Sequence, residues 1–256
     1  MVKKPGKHIP IKCVSKVLIA TGFGGLSREY PDYYAKFGQK NVEVIRLDRS
    51  CTDVDSHLKK MRETFPKEKP FIICGHSLGG MLTIELLSRE KIPNLKGVVL
   101  IGSSRKVKEK SGLKFMMKFP WFFLWFFLIL LIIAFPITVI AWRKKTYDTY
   151  YELFKFLRRD GAKKIHKQYN MTLKKLGTAM KVLQPEIPFL YVGLEKDTLV
   201  DDNDLEFTKS MFKNVRVQII EAKSLHLIEK YDPITVEKIA NEAEFLGLIK
   251  PKIKDE

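Results

Sequence analysis

Apolar positions along this chain fall into short continuous runs separated by stretches with helical spacing. Residues 16–20 carry Val17-Leu18-Ile19, a run that reads as a buried strand. Similar runs follow at 71–74 and 97–101, and 42–47 reads as a further strand. Helix signals lie between them. Ser27 stands where an N-cap belongs and Gly38 where a helix stops, so a helix is expected up to about Phe37. Residues 53–65 have helical spacing, 66–70 form a turn, and Met81, Leu82, Ile84, Leu86 and Leu87 mark a helix after the third strand. The rhythm stops at Gly102 and resumes near Pro188. A strand is then expected at 189–193, a helix at 204–212, a strand at 215–220 and a last helix from 233 to about 248. Strands alternating with helices predict an α/β fold: a mostly parallel sheet of about six strands with helices on both faces. Loops that carry chemistry then gather at the carboxyl ends of the strands.

The third strand leads into Cys74-Gly75-His76-Ser77-Leu78-Gly79-Gly80. A strand running into a helix through Gly-x-Ser-x-Gly implies a sharp turn with a serine at its apex. Such a turn crowds the positions two residues either side, so Gly75 and Gly79 are expected to stand where a Cβ has no room. The helix would point its N-terminus, with partial positive charge, at the place where an oxyanion forms. These residues resemble the nucleophile elbow of the α/β-hydrolase fold, and His76 and Gly80 fit its common Gly-His-Ser-x-Gly-Gly form.

The resemblance covers roughly 16–104 and 185–250 and reaches the lipase and esterase branch, monoacylglycerol lipases included. It implies a catalytic order of serine, acid, histidine, which Ser77, Asp197 and His226 supply on three loops, each after a strand. A serine hydroxyl needs an adjacent base, here His226, whose imidazole Asp197 would orient. Asp201, Asp202 and Asp204 lie close behind Asp197, which the Gly-x-x-x-Asp spacing after the strand favours. The oxyanion hole would be the backbone N–H groups of Phe23, in the loop after the first strand, and Leu78. Thr21 stands where many relatives carry histidine, a departure that leaves a backbone donor available. His76 reads as support for the elbow, and His8, His57 and His166 as surface residues. No metal site and no cofactor are implied.

Composition adds a compartment and a partner. Three cysteines without a spacing pattern indicate a reduced compartment, and the basic tail at 1–15 has no apolar core to make it a secretory signal. The formal net charge is +17. With no nucleic-acid motif beside it, the charge points to an anionic membrane surface.

Residues 105–184 interrupt the α/β pattern, and the resemblance makes them a helical, strongly hydrophobic cap between the two parts of the core, 16–104 and 185–256. Helices are expected at 146–159 and 162–183. Basic residues precede a segment, 119–142, with no charged residue, and Arg143, Lys144 and Lys145 follow it. About 20 apolar residues suffice to span a bilayer. One crossing, however, would put Ser77 on one side and Asp197 and His226 on the other. Basic flanks also place both ends on the cytoplasmic side. A shallow or re-entrant insertion, with Trp121, Phe122, Trp125, Phe126 and Trp142 as membrane contacts, is the expectation; burial against protein is the alternative. The resulting reading is a membrane-associated serine hydrolase on the cytoplasmic side, cleaving a lipid-like ester. An acyltransferase with the same triad and a non-catalytic membrane-bound binding protein of this fold are the alternatives.

Overall fold

A computed structural model describes residues 16–20, 42–45, 51, 53–108, 115, 117–126, 129–130, 161–194, 197 and 200–220. The expected tail at 1–15, the helices at 27–37, 146–159 and 233–248, and the remainder of 119–142 lie outside the described residues.

Six strands form one sheet: β1 (Lys16–Ala20), β2 (Val42–Ile45), β3 (Phe71–His76), β4 (Leu95–Ile101), β5 (Phe189–Leu194) and β6 (Val215–Ile220). Their order is β2-β1-β3-β4-β5-β6, and every pairing is parallel. All six positions of β3 are buried, as a central parallel strand covered on both faces requires. This explains why Phe71-Ile72-Ile73-Cys74 is continuous rather than alternating.

α1 (Val54–Thr64) begins where the sequence places it. Asp53 caps it, accepting from the Ser56 backbone N–H at 2.8 Å, while the Ser56 hydroxyl is 3.3 Å from the Asp53 N–H it serves in return. α2 (Leu78–Arg89) follows β3 and packs on β3 and β1. α4 (Asp202–Ser210) starts two residues before the expected position, because the Asp201 carboxylate accepts from the N–H groups of Asn203 and Asp204 and sets the first turn there.

In the insertion, the helix expected over 162–183 is much shorter. α3 is Ala162–Met171, and a 3-10 turn at Leu173–Lys175 follows. Beyond it Gly177 takes φ +98, where a Cβ would stand 2.7 Å from the Lys106 Cβ. A helix cannot continue through that backbone. The chain runs on irregularly to Pro188, held by Leu183 N–H on the Leu87 carbonyl (2.8 Å) and by the Gln184 side chain, which accepts from the Ile92 N–H. Ile165, Tyr169, Leu173 and Val182 share one hydrophobic cluster with Leu18, Ile73 and Leu100 of the sheet.

Two described stretches of the apolar segment face both ways. Leu124, and Met117 just ahead of the segment, are buried in that same cluster. Trp121, Phe122, Trp125, Phe126, Ile129 and Leu130 are exposed, between 37% and 53%. They recur at four-residue intervals (121, 125, 129 and 122, 126, 130), the spacing of successive turns on one helix face, and residues 123–126 and 129–130 are helical. Among the described residues no helix is long and apolar enough to cross a membrane.

Candidate active site

The strand order places a crevice where catalysis is expected. The chain goes from β1 outward to β2, then back across β1 to β3 and on to β6. In open α/β sheets the gap where ligands bind lies at such a switch point, outside the carboxyl ends of the strands on either side, here β1 and β3. Ala20 at the end of β1 is level with Gly75, and His76 with Ile101 of β4. Ser77 comes directly after, at the rim of that gap.

Ser77 has φ 51 and ψ −119, and Asn94 is the other non-glycine residue with positive φ among those described. Such a backbone costs on the order of 1–3 kcal/mol for a residue with a Cβ, and it persists only where the surroundings impose it. They do so here. The Ser77 N–H donates to the Ile101 carbonyl at 3.1 Å. Its carbonyl accepts from the N–H groups of Gly80 (3.0 Å) and Met81 (3.2 Å) and from the Ser103 hydroxyl (2.7 Å). The side chain is half-buried and makes no capping bond to α2. Leu78 is the first residue of α2, where a backbone N–H has no partner within the helix.

The glycine requirement is legible in the same contacts. A Cβ on Gly75 would stand 2.5 Å from the Gly80 Cα and 3.0 Å from the Gly79 carbonyl carbon. A Cβ on Gly80 would stand 2.4 Å from the Ser103 Oγ and 2.6 Å from its Cβ. Gly75 is therefore crowded as expected. The further constraint on Gly80 comes from Ser103, a residue that sequence reasoning passed over because it carries no motif of its own.

Asp197 follows β5, on the same edge of the sheet. Its Oδ1 accepts from the Val200 N–H at 3.2 Å. Its neighbours have other roles. Asp201 caps α4. Asp204 is buried and paired with Arg105, with Nη2 and Oδ1 2.8 Å apart. Asp202 is exposed on the first turn of α4. Below the loop, burial raises the Tyr191 hydroxyl pKa, and the negative charges of Asp197 and Asp202 raise it further. Tyr191 therefore stays a neutral phenol beside the acid loop, another residue that its sequence position did not reveal.

His226, Phe23 and Trp142 lie outside the described residues. His76 is buried at the end of β3, in keeping with a supporting place. His57 corrects the surface assignment: it is fully buried on α1, with Nε2 3.5 Å from the Gln168 amide nitrogen of α3. A polar side chain on the inward face of α1 is taken up by the insertion packed over it. His166 is half-buried on α3, beside Asn170. Among the described residues no cluster of His, Cys, Asp or Glu is arranged to hold a metal ion.

The fold is shared with known enzymes. MenH from S. aureus superposes with a TM-score of 0.60 at 17% identity, over 94% of this chain and 97% of that one. A lipase-esterase related protein from Clostridium acetobutylicum gives 0.61 at 14% identity, over 92% and 95%. The esterase EaEST from Exiguobacterium antarcticum gives 0.62 at 9% identity, over 91% and 93%. These likenesses establish the fold. No curated protein matches the sequence. The family model Hydrolase_4, described as Serine aminopeptidase, S33, matches residues 20–230, from the end of β1 through the elbow and the acid loop to the stretch that contains His226. The chain belongs to this family of α/β hydrolases.

Proposed function

We propose that this protein is a membrane-associated serine hydrolase that cleaves carboxylic esters of lipid-like substrates through an acyl-enzyme on Ser77. The observation that carries the reading is Ser77 itself, held at φ 51 on the strand-to-helix turn at the sheet's switch point. A strained serine in that place has a use in nucleophilic catalysis and none in packing.

The Ser77 Oγ attacks the ester carbonyl carbon, and its proton passes to the His226 imidazole, which Asp197 orients. The oxyanion rests on the Leu78 and Phe23 N–H groups, at the positive end of α2. His226 gives the proton to the leaving alkoxide, and the acyl group stays on Ser77. Water, deprotonated by His226, then releases the carboxylic acid. No metal or cofactor takes part.

The lipid-like substrate and the membrane are supported by the exposed aromatic face at Trp121, Phe122, Trp125 and Phe126 together with the charge of +17. An exposed apolar face on a chain of this charge suits an anionic leaflet on the cytoplasmic side. The same charge opposes a second copy of the chain on that face.

The test is a substrate panel with phosphatidylglycerol vesicles present or absent: monoacylglycerols, p-nitrophenyl butyrate and an aminoacyl p-nitroanilide, the last because the family description names an aminopeptidase. Ester turnover that vesicles increase and that Ser77→Ala abolishes is the expected result. Undiminished turnover in Ser77→Ala would remove the mechanism. Faster cleavage of the anilide than of either ester would replace the substrate class. Transfer of the acyl group to an added alcohol in preference to water would make the protein an acyltransferase.

A further inference from the structure

The stretch that follows β4 touches the turn that carries Ser77 and the loop that carries Asp197. At its start the Ser103 hydroxyl donates to the Ser77 carbonyl at 2.7 Å. Farther on, Val107 pairs with Val200 in an isolated antiparallel bridge. The Val200 N–H in turn donates to Asp197 Oδ1 at 3.2 Å. The nucleophile turn and the acid loop belong to different strands, β3 and β5, yet one short piece of chain is in contact with each.

That piece is fastened to α4 between the two contacts. The Arg105 Nε donates to Asp204 Oδ1 at 2.9 Å, and the Lys106 N–H donates to Asp204 Oδ2 at 3.1 Å. The Arg105 N–H donates to the Thr208 hydroxyl at 3.2 Å, and Nη1 to the Ala179 carbonyl at 3.0 Å. The guanidinium carbon lies 4.1 Å from the centre of the Phe207 ring. Arg105 is 13% exposed and Asp204 1%. A planar guanidinium with its donors engaged and one face covered has little freedom left. A buried ion pair is a weak device for stability, since apolar residues of similar volume often do as well. Its distinguishing property is a fixed geometry.

We propose that residues 103–107 are a positioning strap that sets the placement of Ser77 relative to Asp197, with Ser103 as its contact at the nucleophile turn and the Arg105–Asp204 pair as its fastening. The proposal rests on the ester-hydrolase reading above. None of these three residues is catalytic; each acts through Ser77 or through the loop that carries Asp197. Misplacement by about 1 Å in an active site costs roughly a hundredfold in rate, so a strap of this kind acts on kcat. It leaves substrate binding alone.

The test uses the full chain with Asp204→Asn and Ser103→Ala, beside wild type and Ser77→Ala. Hydrolysis of p-nitrophenyl butyrate and the rate of fluorophosphonate labelling are measured per folded molecule, with folding followed by circular dichroism. The expected result is a fall in kcat of about 10- to 100-fold for Asp204→Asn and about 3- to 10-fold for Ser103→Ala, each with KM within about twofold of wild type. Slower labelling accompanies it. An unchanged kcat in folded Asp204→Asn overturns the strap, even where its melting temperature falls. If Asp204→Asn does not fold, Ser103→Ala decides alone, because it removes one hydroxyl and leaves no buried charge unpaired; an unchanged kcat there overturns the strap. Wild type that labels but hydrolyses no ester overturns the ester reading and leaves the strap to be judged on labelling rates. Wild type that does neither overturns both.

Discussion

The hydroxyl of Ser103 donates to the carbonyl of Ser77 at 2.7 Å, and the same side chain occupies the space a Cβ on Gly80 would need. The end of β4 therefore shapes the turn after β3. Gly80→Ala forces a methyl group to within 2.4 Å of the Ser103 Oγ and 2.6 Å of its Cβ. Overpacking of this kind costs about 1–3 kcal/mol. Ser103→Gly in the Gly80→Ala background removes both contacts and restores part of the loss, so the two substitutions are non-additive. Urea titration of the single and double variants measures it; additive effects would show that the clash is relieved elsewhere.

Ser77 sits in strain that a glycine would not feel. Ser77→Gly keeps φ 51 without its penalty and gives up the hydroxyl. The variant is expected to be inactive and more stable than wild type by about 1 kcal/mol, a rise of roughly 2–4 °C in melting temperature for a chain of this size. Scanning calorimetry of the pair reads this directly, and a lower melting temperature in Ser77→Gly contradicts it.

Cys74 lies inside β3, and burial pushes its thiol from an ordinary value of 9.0 up to about 12. Only the thiolate reacts with iodoacetamide. The native protein is therefore expected to resist alkylation at Cys74 at pH 9 and to react once unfolded in urea. The sign for stability follows from the same shift. Between about pH 9 and 12 the unfolded thiol has lost its proton and the native one has kept it, so this group's contribution is intact below pH 9 and is lost progressively as pH rises to 12. Urea midpoints for wild type and Cys74→Ala across that range isolate it: the wild-type midpoint falls more steeply with pH.

The exposed row at 121–130 gives a prediction about surfaces. Burying one aromatic side chain of this size is worth about 1.5–3 kcal/mol. Trp121→Ser with Trp125→Ser is therefore expected to weaken binding to phosphatidylglycerol vesicles by tenfold or more, while p-nitrophenyl butyrate hydrolysis in solution stays unchanged. Sedimentation with vesicles measures the first and a solution assay the second. Equal partitioning of wild type and double variant would dissociate this face from the membrane.

What the sequence reveals and what it withholds divide by range along the chain. The elbow was legible because a strand, three glycines and a serine are contiguous. The central strands were legible because each is a short, nearly continuous apolar run; their order in the sheet was not read from the sequence. The end of α3 was not. The helical spacing beyond Met171 continues in the sequence, but the backbone leaves the helix at Thr172, passes through a 3-10 turn and is extended at Leu176, and Gly177 at φ +98 keeps it from resuming. His57 looked like a surface residue because polarity was the only local signal, and the burial comes from α3, more than a hundred positions away. Asp197, Asp201, Asp202 and Asp204 were hard to tell apart as letters. The partners that separate them, above all Arg105 for Asp204, are distant in the chain. Ser103 and Tyr191 went unread for the same reason. Phe23, Trp142 and His226 are sequence readings that lie outside the described residues.

The most direct measurement of the central claim is fluorophosphonate labelling of wild type and Ser77→Ala, followed by mass spectrometry of the labelled peptide. An activated serine reacts with the probe and an ordinary one does not. The account predicts a single adduct, on Ser77, in wild type and none in the variant. An adduct on another residue, or no adduct on folded wild type, would contradict it.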